Sequence, residues 1–518
     1  MEGATQAQGE QAAVIMAESG LVMSHAALDR RSLALADHFL ANGLAEGDRI
    51  ALLLENCPDF FVAMWAARRA GLLFVPVSWH LHVDEASYVV DNSDATAIVT
   101  TSMLGGLARR VVDRSPKVNV AVISGDAIPG FVSLDAIVAM AGDAPRRSAS
   151  RQGGPMPYSS GTTGRPKGIL RPLADVPFCT HTPFERIYAG LYGLDQDTVY
   201  LSPAPAYHGA PVSWTQAILV NHGTLVVLEK FDAEATLRAI ERYRVTHAQF
   251  VPTHFVRLLR LPEQIRGGYN LSSLTVVIHG AAPCSPDVKR RMIDWWGPII
   301  HEFYSGSEKC GVTFSTSHEW LARPGTVGQT KAGRIRIVDP DSGQELPTGD
   351  IGLVYFEDPE QFEYHGDPAK TAQCFNDRGW GTHGDLGRID EDGYLYLSDR
   401  RADLILSGGV NVYPQEIENI LALHPAVEDV AVVGRPDDDF GQRAHAVVQL
   451  AAGHEANDVL ARAILDFCGE RISSFKRPRS LEFVDALPRQ PNGKLLRRLV
   501  RDTLGSAATA ETSALGTA

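Results

Sequence analysis

Apolar positions along this chain switch repeatedly between two spacings. Over residues 28–44 they fall three and four apart, which predicts one buried face of a helix. Residues 49–54 are a short apolar run and read as a buried strand. Residues 58–71 return to helical spacing, with Pro58 at the start and Gly71 at the stop. Strands are predicted at 74–77, 97–100, 225–228, 248–251, 275–279 and 299–304, with helices at 233–243 and 253–260 between the later ones. Strand–helix alternation of this kind predicts parallel α/β layers. Residues 390–393 (Asp-Glu-Asp-Gly) read as a hairpin turn. The rhythm changes after residue 399. Pro414 opens a helix with two acids in its first turn. Strands near 431 and 447, a helix at 457–468 and a strand at 481–484 then form a small α+β unit. Residues 1–10 and 505–518 are polar or small, and a loose start and a disordered tail are expected.

At 518 residues the chain exceeds one hydrophobic core, so two or more domains are expected. The formal charge of −14 argues against a nucleic-acid binder. Six scattered cysteines without a C-x-x-C pair read as reduced thiols, and a cytoplasmic protein is expected. No secretory leader is expected from the polar first residues, and no apolar run is long enough to span a membrane, so a hydrophobic substrate is expected to be met in a pocket. His80 and His82 have no third ligand at a metal spacing, and a metal pair is not expected there.

The densest chemistry lies at residues 158–168, YSSGTTGRPKG, where three glycines, four Ser/Thr hydroxyls and two cations share eleven residues. Glycines let a backbone approach an anion, and hydroxyls, N–H groups and a lysine then surround phosphate oxygens. The spacing is not that of the common P-loop, because Lys167 follows Gly161 by six and precedes Gly168. A solvated linker is the competing reading. Pro166 and the basic pair inside the glycine frame favour the phosphate cradle.

This segment resembles the signature loop of the adenylate-forming superfamily, which includes acyl-CoA synthetases, luciferases and peptide-synthetase adenylation domains. The resemblance runs from about Leu28 to Leu504, with motifs in family order, and is nearest to actinobacterial fatty-acyl-CoA ligases. It implies a large α/β domain over 1–398, a hinge at 399–403 with Ala402 at the pivot, and a small α+β domain over 404–504. It further implies that Ser159, Ser160, Gly161, Thr162, Thr163, Gly164 and Lys167 hold ATP phosphates. Gly280, Ala281, Ala282 and Pro283 match the adenine turn. Tyr304, Ser305, Gly306, Ser307 and Glu308 match the next motif, with the aromatic on adenine, the hydroxyl on phosphate and Glu308 on Mg²⁺. Asp385 and Arg400 match the ribose ligands, and Ser407, Gly408 and Gly409 the loop lining the coenzyme A tunnel. Lys494 matches the adenylation lysine. His208 matches the gate of the acyl pocket, against bland readings as a core imidazole or loop residue.

The implied activity is that of an acid:CoA ligase using ATP, Mg²⁺ and coenzyme A on a hydrophobic, bulky or polycyclic carboxylic acid. Three residues depart from the pattern: Lys309 for a small residue, where it is expected to compete with Mg²⁺ or crowd the site, His383 for Thr, and Ala402 for a charged pivot. They keep open an enzyme that mainly converts supplied acyl-AMP to acyl-CoA, with a partner adenylating enzyme. An enzyme that loads a carrier protein and an inactive acyl-nucleotide binder stay open as well, as does a homodimeric assembly.

Overall fold

The computed structural model describes residues 9–141, 149–159, 166–400, 403–407, 410–437, 440–474, 476–490, 495–497 and 499–502. Two large sheets carry the chain up to about residue 330. The first has six strands, all parallel, in the order Val132–Ser133, Val120–Ser124, Ala95–Thr101, Arg49–Leu53, Leu73–Pro76 and Gly154–Pro155. The second has nine, running Gln329–Thr330, Val312–Ser315, Ile300–Ser305, Val276–His279, His247–Phe250, Val199–Ser202, Thr224–Val227, Ala12–Met16 and Val22–Ser24. Its six middle strands are parallel, and the outer pairings are antiparallel.

Helix Pro58–Arg69 shows why the two sheets pack together. Every residue from Phe60 to Arg68 is buried, and its side chains share one core with Leu52 and Val99 of the first sheet and Leu225 and Val227 of the second. A helix apolar all round has no face to give to water, so it has to lie inside. Its one buried charge is matched: Arg68 donates to both oxygens of Glu185, at 2.5 and 2.9 Å. That pairing satisfies the charge and ties this helix to helix Pro183–Tyr192.

A four-stranded antiparallel sheet follows, ordered Ile335–Val338, Gly352–Phe356, Gly381–Ile389 and Leu395–Arg400. The predicted turn at 390–393 joins its last two strands. The small α+β part has strands Val410–Val412, Ile405–Ser407, Gly441–Leu450 and Val427–Asp437 in that order, with Ser480–Val484 parallel to Gly441–Leu450. Helices Pro414–Leu421 and Asp458–Gly469 cover it around Ile417, Leu421, Ile464 and Cys468. The chain is thus a large α/β part with a small α+β part, as the sequence predicts. The expectations for residues 1–8 and 505–518 lie outside the described residues.

Candidate active site

In parallel sheets, ligands meet the chain beyond the carboxyl ends of the strands. Two neighbouring strands end in the expected nucleotide turns. Strand Val276–His279 runs into Gly280–Pro283, and strand Ile300–Ser305 runs into Gly306–Lys309, with His279 and Glu302 as Cα partners. At Gly280 an added Cβ would stand 2.6 Å from the Phe303 ring and 2.6 Å from its carbonyl oxygen, so only glycine passes between the strands there. Tyr304 donates its hydroxyl to Asp385 Oδ2 at 2.6 Å, which joins the aromatic expected on adenine to the carboxylate expected on ribose. Asp385 is buried on strand Gly381–Ile389, and its Cα partner across the antiparallel pair is Arg400. Both expected ribose ligands therefore share one register.

His383 braces the second turn. Its Nε2 lies 3.1 Å from the Gly306 N–H and 3.2 Å from the Gly311 carbonyl, accepting from the first or donating to the second. A Cβ at Gly306 would run into His383 Nδ1 and Glu308 Oε2, so the imidazole needs glycine opposite it. Ser305 donates to the Gly311 carbonyl at 2.8 Å, and Ser307 is exposed.

Glu308 Oε1 accepts from the Tyr364 hydroxyl at 2.6 Å. Among the described residues no three His, Cys, Asp or Glu side chains form a metal-holding group. A single oriented carboxylate suits Mg²⁺, which is bound by one or two carboxylates together with substrate phosphates. Lys309, expected to compete with the metal or crowd the site, is turned away from Glu308. Lys309 has φ of 54°, and its ammonium lies 4.5 Å from the centre of the Phe184 ring, forming no ion pair with Glu308. Burial pulls this ammonium down to about 8, with the neighbouring Arg171 adding to the shift and Glu360 and Glu185 opposing it. Arg171 in turn donates to the Ser307 carbonyl behind the turn.

Lys167 leaves the glycine-rich loop on strand Lys167–Leu170, which pairs with Tyr158–Ser159, and its ammonium pairs with Asp367. The expected phosphate ligands Ser160, Gly161, Thr162, Thr163 and Gly164 lie outside the described residues, as do Ala402, Gly408, Gly409 and Lys494. Ser407 ends strand Ile405–Ser407 and pairs with Gly441.

His208 caps helix Gly209–Val220, with its Nε2 buried and without a hydrogen-bond partner. Burial, helped by His80, pulls the imidazole down to about 3, which keeps it neutral. Tyr207 packs on it at 4.4 Å between ring centres. Helix Gly209–Val220 lies beside helix Pro183–Tyr192, where Tyr188 stacks on Trp214 at 4.1 Å.

Four contributors escaped sequence reasoning: Tyr364, Arg171, Asp367 and Phe184. Only Arg171 carried a signal, as a lone cation ending the apolar run after Lys167.

Known proteins share this plan. The family described as AMP-binding enzyme matches residues 2–363, and its C-terminal domain matches residues 416–494. A fatty acid–acyl-carrier-protein ligase from Streptomyces coeruleorubidus is 30% identical, over 93% of this chain and 92% of its own length. A feruloyl-CoA synthase from Amycolatopsis is 30% identical, over 95% of this chain and 96% of its own. The ATP-bound crystal structure of MatB from Rhodopseudomonas palustris superposes with a TM-score of 0.82 at 29% identity, covering 96% of each chain.

Proposed function

This chain belongs to the AMP-binding enzyme family and is an AMP-forming acid–thiol ligase, and we propose that it joins a hydrophobic carboxylic acid to coenzyme A. The observation that carries the proposal is the pair of contacts Tyr304–Asp385 and Tyr364–Glu308, which gather on the end of strand Ile300–Ser305 and the turn after it. One pair suits adenosine, and the other orients a carboxylate beside the phosphates.

In the first half-reaction a carboxylate oxygen attacks the α-phosphorus of ATP and pyrophosphate leaves. The groups that meet are anionic, so positioning and charge neutralisation supply the catalysis. Asp385 and Arg400 hold the ribose, and Gly280 to Pro283 and Tyr304 hold the base. Thr162, Thr163 and Lys167 hold the departing phosphates, and Lys494 holds the incoming carboxylate. Glu308 would hold Mg²⁺, which would supply neutralisation of phosphate charge. In the second half-reaction a thiol of pKa about 8.5 attacks the acyl carbonyl and expels AMP. It passes Ser407, Gly408 and Gly409 once Lys494 has been withdrawn by rotation about Ala402. The large domain of this scheme spans 1–398, the hinge 399–403 and the small domain 404–504, and the site of action is the cytoplasm.

A second reading keeps the adenylation and replaces coenzyme A with a carrier protein. The Streptomyces relative, a carrier-protein ligase by name, favours it. The experiment separates the halves. One arm follows acid-dependent pyrophosphate release from ATP, and the other supplies synthetic acyl-AMP with either coenzyme A or a carrier protein. Turnover in both arms with coenzyme A supports the proposal. Thioester from acyl-AMP without pyrophosphate release would replace it with a thioesterifying enzyme fed by a partner.

A further inference from the structure

Lys309 occupies a left-handed backbone, a conformation unfavourable for a residue with a side chain. What that turn achieves is separation: the ammonium leaves the adjacent Glu308 and comes to rest over Phe184. Among the described residues no carboxylate lies within ion-pair distance of it, and it is half-buried. Taking a cation partly out of water without an anion is unfavourable unless a strongly polar group meets it in the working complex. A second cation, Arg171, acts on it electrostatically and donates to the Ser307 carbonyl two residues before it. The Arg171 side chain is only 14% exposed, with Glu360 3.9 Å from Nε, and Nε is buried without a hydrogen bond.

The surroundings are aromatic. Phe184 opens helix Pro183–Tyr192, its ring centre is 6.2 Å from Tyr188, and Tyr188 stacks on Trp214 of the helix that His208 caps. Tyr188 and Trp214 are buried in the core, so the half-buried Phe184 ring under Lys309 is the part of this series with a face left to offer. An aromatic face suits an apolar skeleton, whereas an ammonium and a guanidinium offer only donors. We propose that Lys309 and Arg171 form an oxygen-binding subsite of the acyl pocket. The acid would be apolar along most of its length and carry a second oxygen function, a carboxylate or a carbonyl, that these two cations meet. This rests on the ligase reading and narrows its substrate class. The left-handed turn then has a use, because it separates the cation from the Glu308 carboxylate and gives it to the acid.

The test uses the full-length enzyme with matched acids: dodecanoic, 11-oxododecanoic and dodecanedioic acid. The oxo and dioic arms distinguish a carbonyl from a carboxylate ligand. Wild type is expected to prefer one of the oxygenated acids about 10- to 100-fold in kcat/KM for pyrophosphate release, the range for a charge-assisted hydrogen bond. Lys309→Met is expected to abolish that preference and Lys309→Arg to keep part of it. An independent readout is the rate of reductive methylation of Lys309, followed by mass spectrometry, which the preferred acid should slow more than dodecanoic acid does. Equal use of all three acids with equal labelling rates would overturn the subsite and leave the ligase reading intact. Selective protection of Lys309 without pyrophosphate release from any acid would support the subsite and overturn the ligase reading.

Discussion

Lys289→Met is expected to loosen the joint between the two nucleotide turns. Lys289 lies on helix Pro286–Trp296, just after the adenine turn, and its Nζ is 2.6 Å from Glu302 Oε2, two residues before Tyr304. His279 Nε2 is 3.6 Å from the same oxygen, and all three side chains are buried. Methionine keeps the length and apolar stem of lysine but leaves the Glu302 carboxylate without its cation. Breaking one side of a buried pair in this way costs about 3–5 kcal/mol. Removing both charges with Lys289→Met and Glu302→Gln together is expected to return stability to within about 1 kcal/mol of wild type, because no uncompensated charge remains. The pH dependence has a definite sign. Burial pushes Glu302 above its ordinary 4.5, and Lys289 pulls it back. A carboxyl raised in the folded state binds more protons there than when unfolded, so stability falls as pH rises from 4.5 through the folded value. Without Lys289 that value rises further, and the single variant should lose more at pH 8 than at pH 5. Urea unfolding at the two pH values measures this, with Trp320, whose ring centre is 5.0 Å from Nζ, as a fluorescent reporter. A loss below about 1 kcal/mol at pH 8, or an equal loss in the double variant, would refute the reasoning.

Three further outcomes follow from the site and its attachments. Tyr364→Phe removes the donor that orients Glu308, and the Mg²⁺ concentration for half-maximal pyrophosphate release should rise about 10- to 100-fold. Asp385→Asn keeps the shape but loses the charge that receives Tyr304 and faces Arg400 in register, and kcat/KM for ATP should fall about 10- to 100-fold, with acyl-AMP binding weakened alongside. Arg260, at the end of helix Pro252–Leu259, pairs with Glu428 and donates to its carbonyl at 2.8 Å, joining the large part to the small one. With side-chain exposures of 37% and 33%, the pair is worth about 0.2–1 kcal/mol, so Arg260→Glu should move the two half-reaction rates in opposite directions by no more than about fivefold, and the Arg260→Glu, Glu428→Arg exchange should restore them.

The layered α/β plan was legible because each helix writes its buried face at helical spacing and each inner strand is a short apolar run. Ends were less so. The helix predicted over 28–44 is His25–Ala41, because Ser24 accepts from the Ala27 N–H and starts it three residues early, a capping contact that apolar spacing does not report. Strands of two residues, such as Gly154–Pro155 and Gln329–Thr330, have no periodicity to read. In the site, ordered motifs announced Gly280, Tyr304, Glu308 and Asp385. Their partners stayed hidden because they are made by tertiary approach. Tyr364 is 56 residues from Glu308, and Asp367 is 200 from Lys167. Nothing local distinguishes either residue from any other tyrosine or aspartate.

The departures from the family pattern look different once their neighbours are seen. A site losing its function accumulates substitutions that nothing accommodates. Here His383 has Gly306 opposite it, where any larger residue would collide, and its Nε2 reaches the Gly306 N–H and the Gly311 carbonyl that frame the metal-side turn. Lys309 has a left-handed backbone that turns it off Glu308, Phe184 to lie upon, and Arg171 alongside to hold the carbonyl of Ser307. Each exchange is embedded in contacts that depend on it, and both sets of contacts converge on the four residues from Gly306 to Lys309. Coupling of that kind is what selection on a working turn produces, since the neighbours would be free to drift if the turn had no ligand to hold. The departures therefore favour the proposed change of substrate over a missing half-reaction.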